Sequence, residues 1–170
     1  MGIDGGRGQA TRLTESSVTW WLVAAASVGA GIVHAAVGFG HPAGAHRWFF
    51  VTVAAFQVWW GSLVWPDGPS DRSTTLGVGV LSGVLVLYLA THSVGLPVGE
   101  RIPVERAGVA AAALETVVLA FVSMGRHRPV SWGRWSVPAL TVVILVVAAV
   151  GVWSGLEGGG HVGADGLHVH

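Results

Sequence analysis

Long apolar runs separated by short polar or turn-forming stretches organise this chain. Five runs stand out: Val18 to Gly38, Trp48 to Trp65, Thr75 to Val94, Ala107 to Met124 and Val137 to Trp153. Each is close to the length at which a helix crosses the hydrocarbon layer, about 20 residues with roughly 17 to 25 tolerated. The breaks are Gly40-His41-Pro42, Pro66-Asp67-Gly68-Pro69, Gly95-Leu96-Pro97 and Arg126-His127-Arg128-Pro129. Each supplies glycine, proline or charge where a helix should stop. Strand-type alternation is absent, which argues against a membrane barrel. Short loops force neighbouring helices to run antiparallel. The pattern therefore predicts an all-α polytopic membrane protein, a five-helix up-down transmembrane bundle over residues 18–154. Residues 1–17 and the Gly/His-rich stretch 155–170 lack apolar periodicity and are expected to be mobile tails.

Composition narrows the class further. Hydrophobic residues make up 52% of the 170 positions and charged residues 11%, less than half the roughly 25% of a soluble domain. Mean hydropathy is +0.63. A fold this small buries only about 70% of its chain surface, too little to hide so much apolar area from water. Nine arginines balance nine acidic residues and no lysine is present, so no basic surface for nucleic acid is expected. The zero cysteine count removes disulfides, thiolate metal sites and catalytic thiols. The expected partner is a lipid bilayer, with other membrane subunits as further candidates.

Charge asymmetry suggests an orientation. With five spans, Arg7, Arg12, Arg72, Arg126, Arg128 and Arg134 share one side, and Arg47, Arg101 and Arg106 the other. The positive-inside rule then puts the amino terminus in the cytoplasm and the carboxyl terminus outside a bacterial plasma membrane. Trp20, Trp21, Trp48, Trp65, Trp132, Trp135 and Trp153 fall near expected helix ends, where indole prefers the headgroup layer. Trp59 and Trp60 lie inside the second run and are expected to pack against helices or lipid. The first run exceeds the 7 to 15 apolar residues of a signal-peptide core and reads as a span.

On this topology four spans each carry one polar side chain in the outer half: His34, Gln57, His92 and Glu115. Glu115, between Ala-Ala-Ala-Ala-Leu and Thr-Val-Val-Leu-Ala, has no cation nearby in sequence. A charge at the centre of a spanning helix costs about 2.5 to 3.5 kcal/mol on insertion scales, and such residues usually face an interior or a cavity. His34, His92 or a metal ion are the partners the chain supplies. The bland alternatives are a neutral Glu115 bonding across helices, Gln57 as interhelical glue, His34 as a packing residue and His92 as a helix cap. His41 and His46 taken singly read as solvated loop residues.

The donor types discriminate between metals. Cu(I) favours thiolate or thioether, and the only methionines, Met1 and Met124, are expected on the inner side. Imidazole with carboxylate suits Zn²⁺, Cu²⁺ or iron. The expected function is binding or handling of Zn²⁺ or Cu²⁺ at an outward-facing site, with His34, His46, His92 and Glu115 as ligands. Gln57 and Glu105 would support them from behind. His161, His168 and His170 in the tail would bind metal weakly.

Two alternatives stand beside this reading. His34 and His92 are candidate axial ligands of a b-type haem in an electron-transfer subunit, with Gly29, Gly31, Gly79 and Gly83 making room for the ring. A structural or accessory subunit needs none of this chemistry. No nucleophile elbow, phosphate loop or spaced zinc motif is present, so no catalytic residue is identified and enzymatic activity stays open.

The order His34, His46, Phe49-Phe50, Gln57, Thr91-His92-Ser-Val-Gly-Leu-Pro97-Val-Gly99, Glu105 and Glu115 resembles a group of uncharacterised bacterial multi-pass membrane proteins. The resemblance covers about residues 34 to 115, and Gly-Leu-Pro-x-Gly is its most specific part. It implies a membrane protein and no particular activity. Ala45 stands where that group has Glu, and His92 where it has Arg.

Overall fold

A computed structural model of the chain describes residues 5–65, 68–93, 105–127 and 136–158. The described residues form five α-helices: α1 (Gly5–Gly40), α2 (Ala45–Val64), α3 (Asp71–Ser93), α4 (Arg106–His127) and α5 (Ser136–Gly158). The fold class is the expected all-α bundle. Stretches of four helices are long and apolar enough to cross a membrane: Ser17–Gly40, Asp71–Ser93, Arg106–Met124 and Ser136–Leu156. Helix α2 has 20 residues, about 30 Å at 1.5 Å per residue. It carries His46, Arg47, Gln57 and three tryptophans among its apolar residues.

The first helix differs from expectation at its start. It begins at Gly5 rather than near Val18, so most of the amino-terminal stretch expected to be a mobile tail is helical. No proline interrupts it, and extending an existing helix fixes one residue per hydrogen bond gained, whereas starting one is costly. Its end lies where the Gly-His-Pro break places it, at Gly40.

Helix α1 is the centre of the bundle. It packs against α2, α4 and α5, while α3 rests mainly on α4. Of its apolar span 72% is buried, against 17% for α5 and 22% for α3. Small residues explain why α1 and α2 come so close. A Cβ on Gly31 would lie 3.0 Å from the Ala54 carbonyl oxygen, and one on Gly61 would lie 3.2 Å from the Ala24 carbonyl oxygen. Between these points Ser27 Oγ donates to the Gln57 carbonyl at 2.9 Å. Helix association in lipid relies on such close packing and interhelical hydrogen bonds, because hydrocarbon solvates apolar side chains as well as a partner helix does. The contact order, with Gly38 against Phe50, Gly31 against Ala54 and Gly61 against Ala24, makes α2 an antiparallel companion of α1.

Helix α3 is tied at its two ends to different neighbours. Near its start, the buried Trp60 of α2 donates its indole N–H to the Ser73 carbonyl at 2.8 Å and covers Gly77, where a Cβ would come within 2.2 Å of the ring. Near its other end, Tyr88 lies over Gly108 of α4. On the far side of the core, Gly151 of α5 seats Val33 and Ala110, and Gly155 lies against Val37. Trp59 is half exposed, whereas its neighbour Trp60 is fully buried, which divides the expected roles of that pair.

Candidate functional site

Three buried polar side chains meet between α1, α2 and α4. His34 Nε2 lies 3.0 Å from Glu115 Oε1, and Gln57 Nε2 donates to the same oxygen at 2.7 Å. His34 is 6% exposed, Gln57 0% and Glu115 1%. The close approach of α1 and α2 carries Gln57 across to the level of His34. Glu115 arrives from α4 between buried Leu114 and Val118. The hydrogen bonding defines roles: Glu115 Oε1 accepts from the Gln57 amide, and a proton bridges His34 and Glu115. Gln57 Oε1 is buried without a hydrogen-bond partner, so its amide group faces the carboxylate at the expense of its own carbonyl oxygen. Such an orphan acceptor costs about 1 to 3 kcal/mol.

The His34–Glu115 pair forms part of the wall of a cavity of about 370 Å³. Small side chains of α4, Ala107, Gly108, Ala111 and Ala112, hollow one wall, and Phe49, Phe50, Val84, Leu87 and Tyr88 supply the rest of its apolar lining. Ala45, His46 and Glu105, exposed residues at the end of the bundle where α1 stops and α2 starts, also line it. An apolar enclosure with a few convergent polar groups has the character of a ligand site.

Four different helices bring the expected ligands to this one space: His34 from α1, His46 from α2, His92 from α3 and Glu115 from α4. Glu105, just before α4, also lines it. Gln57 does not; it stands behind Glu115. The His34–Glu115 pair is in direct contact, whereas no hydrogen bond joins His92 to either; its Nδ1 is held by the Tyr88 carbonyl at 2.8 Å. Among the described residues no three His, Asp or Glu side chains stand close enough together to hold a metal ion. His161, His168 and His170 lie outside the described residues, as do Gly95, Pro97 and Gly99.

The glycines expected to make room for a haem lie away from this cavity. None of Gly29, Gly31, Gly79 and Gly83 lines the cavity. Gly29 faces Ala148 and Leu114, Gly31 faces α2, and Gly79 and Gly83 have open space where a Cβ would be.

Sequence reasoning passed over three members of the site. His41 lines the cavity rather than standing free in the loop. Phe50 stacks on His34, with ring centroids 5.8 Å apart, and touches His41 at 5.5 Å. Tyr88 packs on His92 at 4.2 Å. A signal for His41 was available: it follows His34 by seven residues, two helical turns, and so falls on the same face.

No protein-family model, curated protein or solved structure matches this chain.

Proposed function

We propose that this chain is a multi-pass protein of a bacterial plasma membrane that binds a divalent transition-metal ion, Zn²⁺ or Cu²⁺, from the outer side in the cavity between α1, α2, α3 and α4. The observation that carries this reading is the buried His34–Glu115 contact in the wall of a cavity that His46 and His92 also line. The arginine distribution supports placing the end of the bundle where α1 stops and α2 starts on the outer side. The donor set, without thiolate, suits these ions.

The His34–Glu115 pair is the innermost anchor. A tetrahedral ion with bonds of about 2.0 to 2.2 Å holds its nitrogen and oxygen ligands about 3.3 Å apart. The pair stands at 3.0 Å, so a separation of a few tenths of an ångström lets an ion replace the bridging proton. Gln57, bonded to the same carboxylate, orients it from behind in the manner of an outer-shell partner. Two protein donors and an open cavity leave the remaining positions to water. That arrangement suits an ion in exchange with the outside rather than a permanent structural ion, whose four ligands are usually all from protein.

The test is Zn²⁺ titration of the purified full-length chain in detergent, with His161, His168 and His170 replaced by Ala. The expected result is one near-stoichiometric ion, bound at least tenfold more weakly in both His34→Ala and Glu115→Gln. Absence of stoichiometric binding, or binding indifferent to both substitutions, overturns the reading.

A further inference from the structure

Glu115 spends only one of its oxygens on the protein. With the proton on His34 Nε2, Oε1 accepts from both His34 and Gln57, at 3.0 and 2.7 Å. An ionised carboxylate meets two donors in this way and keeps further acceptor capacity on its second oxygen. Among the described residues no hydrogen bond reaches that oxygen, Oε2. Nor is it sealed in, as Gln57 Oε1 and Ser73 Oγ are. The Glu115 side chain keeps 2% of its surface accessible, and the space beside it is the cavity that Glu115 lines. Oε2 therefore borders that cavity with its lone pairs unused.

The wall around it carries fixed charge of one sign. Glu105 also lines the cavity, whereas no arginine does among the described residues, and the chain has no lysine. A carboxylate facing apolar space without a countercharge is costly, so this wall favours an occupant that brings positive charge. The apolar part of the wall says what kind of cation. Phe49 and Phe50 of α2 and Tyr88 of α3 stand in it, and the two phenylalanine rings meet edge to face with centroids 5.5 Å apart. Aromatic faces attract organic cations, and the aliphatic side chains between them suit an apolar body rather than a hydration shell. The volume of about 370 Å³ lies near the lower end of small-molecule sites, about 300 to 1,000 Å³, which fits a molecule of one or two rings.

We infer that the cavity binds a lipophilic organic cation, a protonated amine with an apolar body of one or two rings. Its N–H group donates to Glu115 Oε2, and its body lies against the rings of Phe49, Phe50 and Tyr88. No metal ion is required for this. A metal ion would replace the proton between His34 and Glu115, whereas the ammonium leaves that hydrogen bond in place and takes the other oxygen.

The competing explanation is that the space accepts any apolar molecule of its size. A charged probe and a neutral one of the same shape separate the two. Naphthylmethylammonium and naphthylmethanol are titrated calorimetrically into the full-length chain in nanodiscs of zwitterionic lipid at neutral pH, with a chelator present and empty nanodiscs as the blank. The expected result is one ammonium per chain, bound about tenfold or more tighter than the alcohol, the ratio that one charge-assisted hydrogen bond supplies. Glu115→Gln brings the ammonium down to the affinity of the alcohol, and Phe50→Leu weakens the ammonium more than the alcohol. An unchanged melting curve shows that each variant is folded. Equal affinity for the two probes in the parent, a preference that survives Glu115→Gln, or the absence of saturable ammonium binding overturns the site. Because the chelator removes metal, ammonium binding beside a failed Zn²⁺ titration leaves the organic-cation site standing without the metal one. The opposite pair of results strikes this site alone.

Discussion

His34 Nε2 and Glu115 Oε1 lie 3.0 Å apart although 81 positions separate them in sequence. Both side chains are almost completely buried. Each solves the other's problem: the carboxyl gains a hydrogen-bond partner, and the imidazole an acceptor. Gln57 completes the arrangement at the same oxygen.

Replacing Glu115 separates its electrostatic role from its packing role. Glu115→Gln preserves shape and one acceptor, and should leave resistance to detergent unfolding within about 1 kcal/mol of the parent. Glu115→Ala strands the Gln57 amide and leaves a void beside His34, and should cost about 2 to 4 kcal/mol. Equilibrium unfolding in mixed micelles measures both. Equal losses for the two variants would mean that the carboxylate oxygen is not what Gln57 and His34 hold.

Helix α3 offers a matched set of glycines. A Cβ at Gly77 would penetrate the Trp60 indole, while Gly79 and Gly83 on the same helix have nothing within 4 Å. Gly77→Ala should destabilise the bundle by about 1 to 3 kcal/mol through overpacking. Gly79→Ala and Gly83→Ala should be neutral or mildly stabilising, because Ala is the better helix former. The three variants compared in one unfolding assay decide the point.

Gly31 sets the distance between α1 and α2, and its nearest neighbour across the gap is a backbone oxygen. A carbonyl cannot rotate away as a side chain can, so Gly31→Val should push the helices apart and draw Gln57 off Glu115. Its expected signature is lowered stability by about 2 kcal/mol together with weaker Zn²⁺ binding. Gly44→Ala, at an open position, is the control that should change neither.

Gly68 has φ near +85°, and a Cβ there would lie 2.6 Å from the Trp20 indole nitrogen. Gly68→Ala meets both a left-handed backbone and an aromatic wall, and should lower stability by about 1 to 3 kcal/mol. Thermal aggregation of the detergent-solubilised variant is a sufficient assay. A rise in stability would show that this turn relaxes freely.

The orientation is accessible because the chain has no cysteine. A single cysteine at exposed Gly44, in the α1–α2 turn, should react with a membrane-impermeant maleimide added to intact cells. One at exposed Ser70, before α3, should react only after the membrane is opened. The reverse pattern inverts the topology and puts the α1–α2 turn on the cytoplasmic side.

Depth along each helix was legible in the sequence, and angle around each helix was not. Turn residues and apolar run lengths located the helices, and counting inward from their ends put His34, Gln57 and Glu115 in one half of the bilayer. Whether they faced each other depended on helix rotation. In a bundle built from small residues, that rotation is decided by which glycine meets which backbone, as at Gly31 and Gly61, and runs of alanine and valine carry little directional signal. The same limit hid Phe50 and Tyr88, which read as ordinary apolar residues, and hid His41, whose position just past a helix end suggested solvent. The helical start of α1 was missed because Gly5 to Ser17 is polar, and polarity was read as absence of structure.

The central place of α1 has a consequence for biogenesis. It leaves the ribosome before the other four helices, yet His34 must wait for a partner 81 residues later. At synthesis rates of about 5 to 20 residues per second that interval is roughly 4 to 16 seconds. During it the side chains of His34 and Gln57 both lack the carboxylate oxygen that they share in the finished bundle. Both bonds of the triad end on Glu115 Oε1, so both record the arrival of the fourth helix.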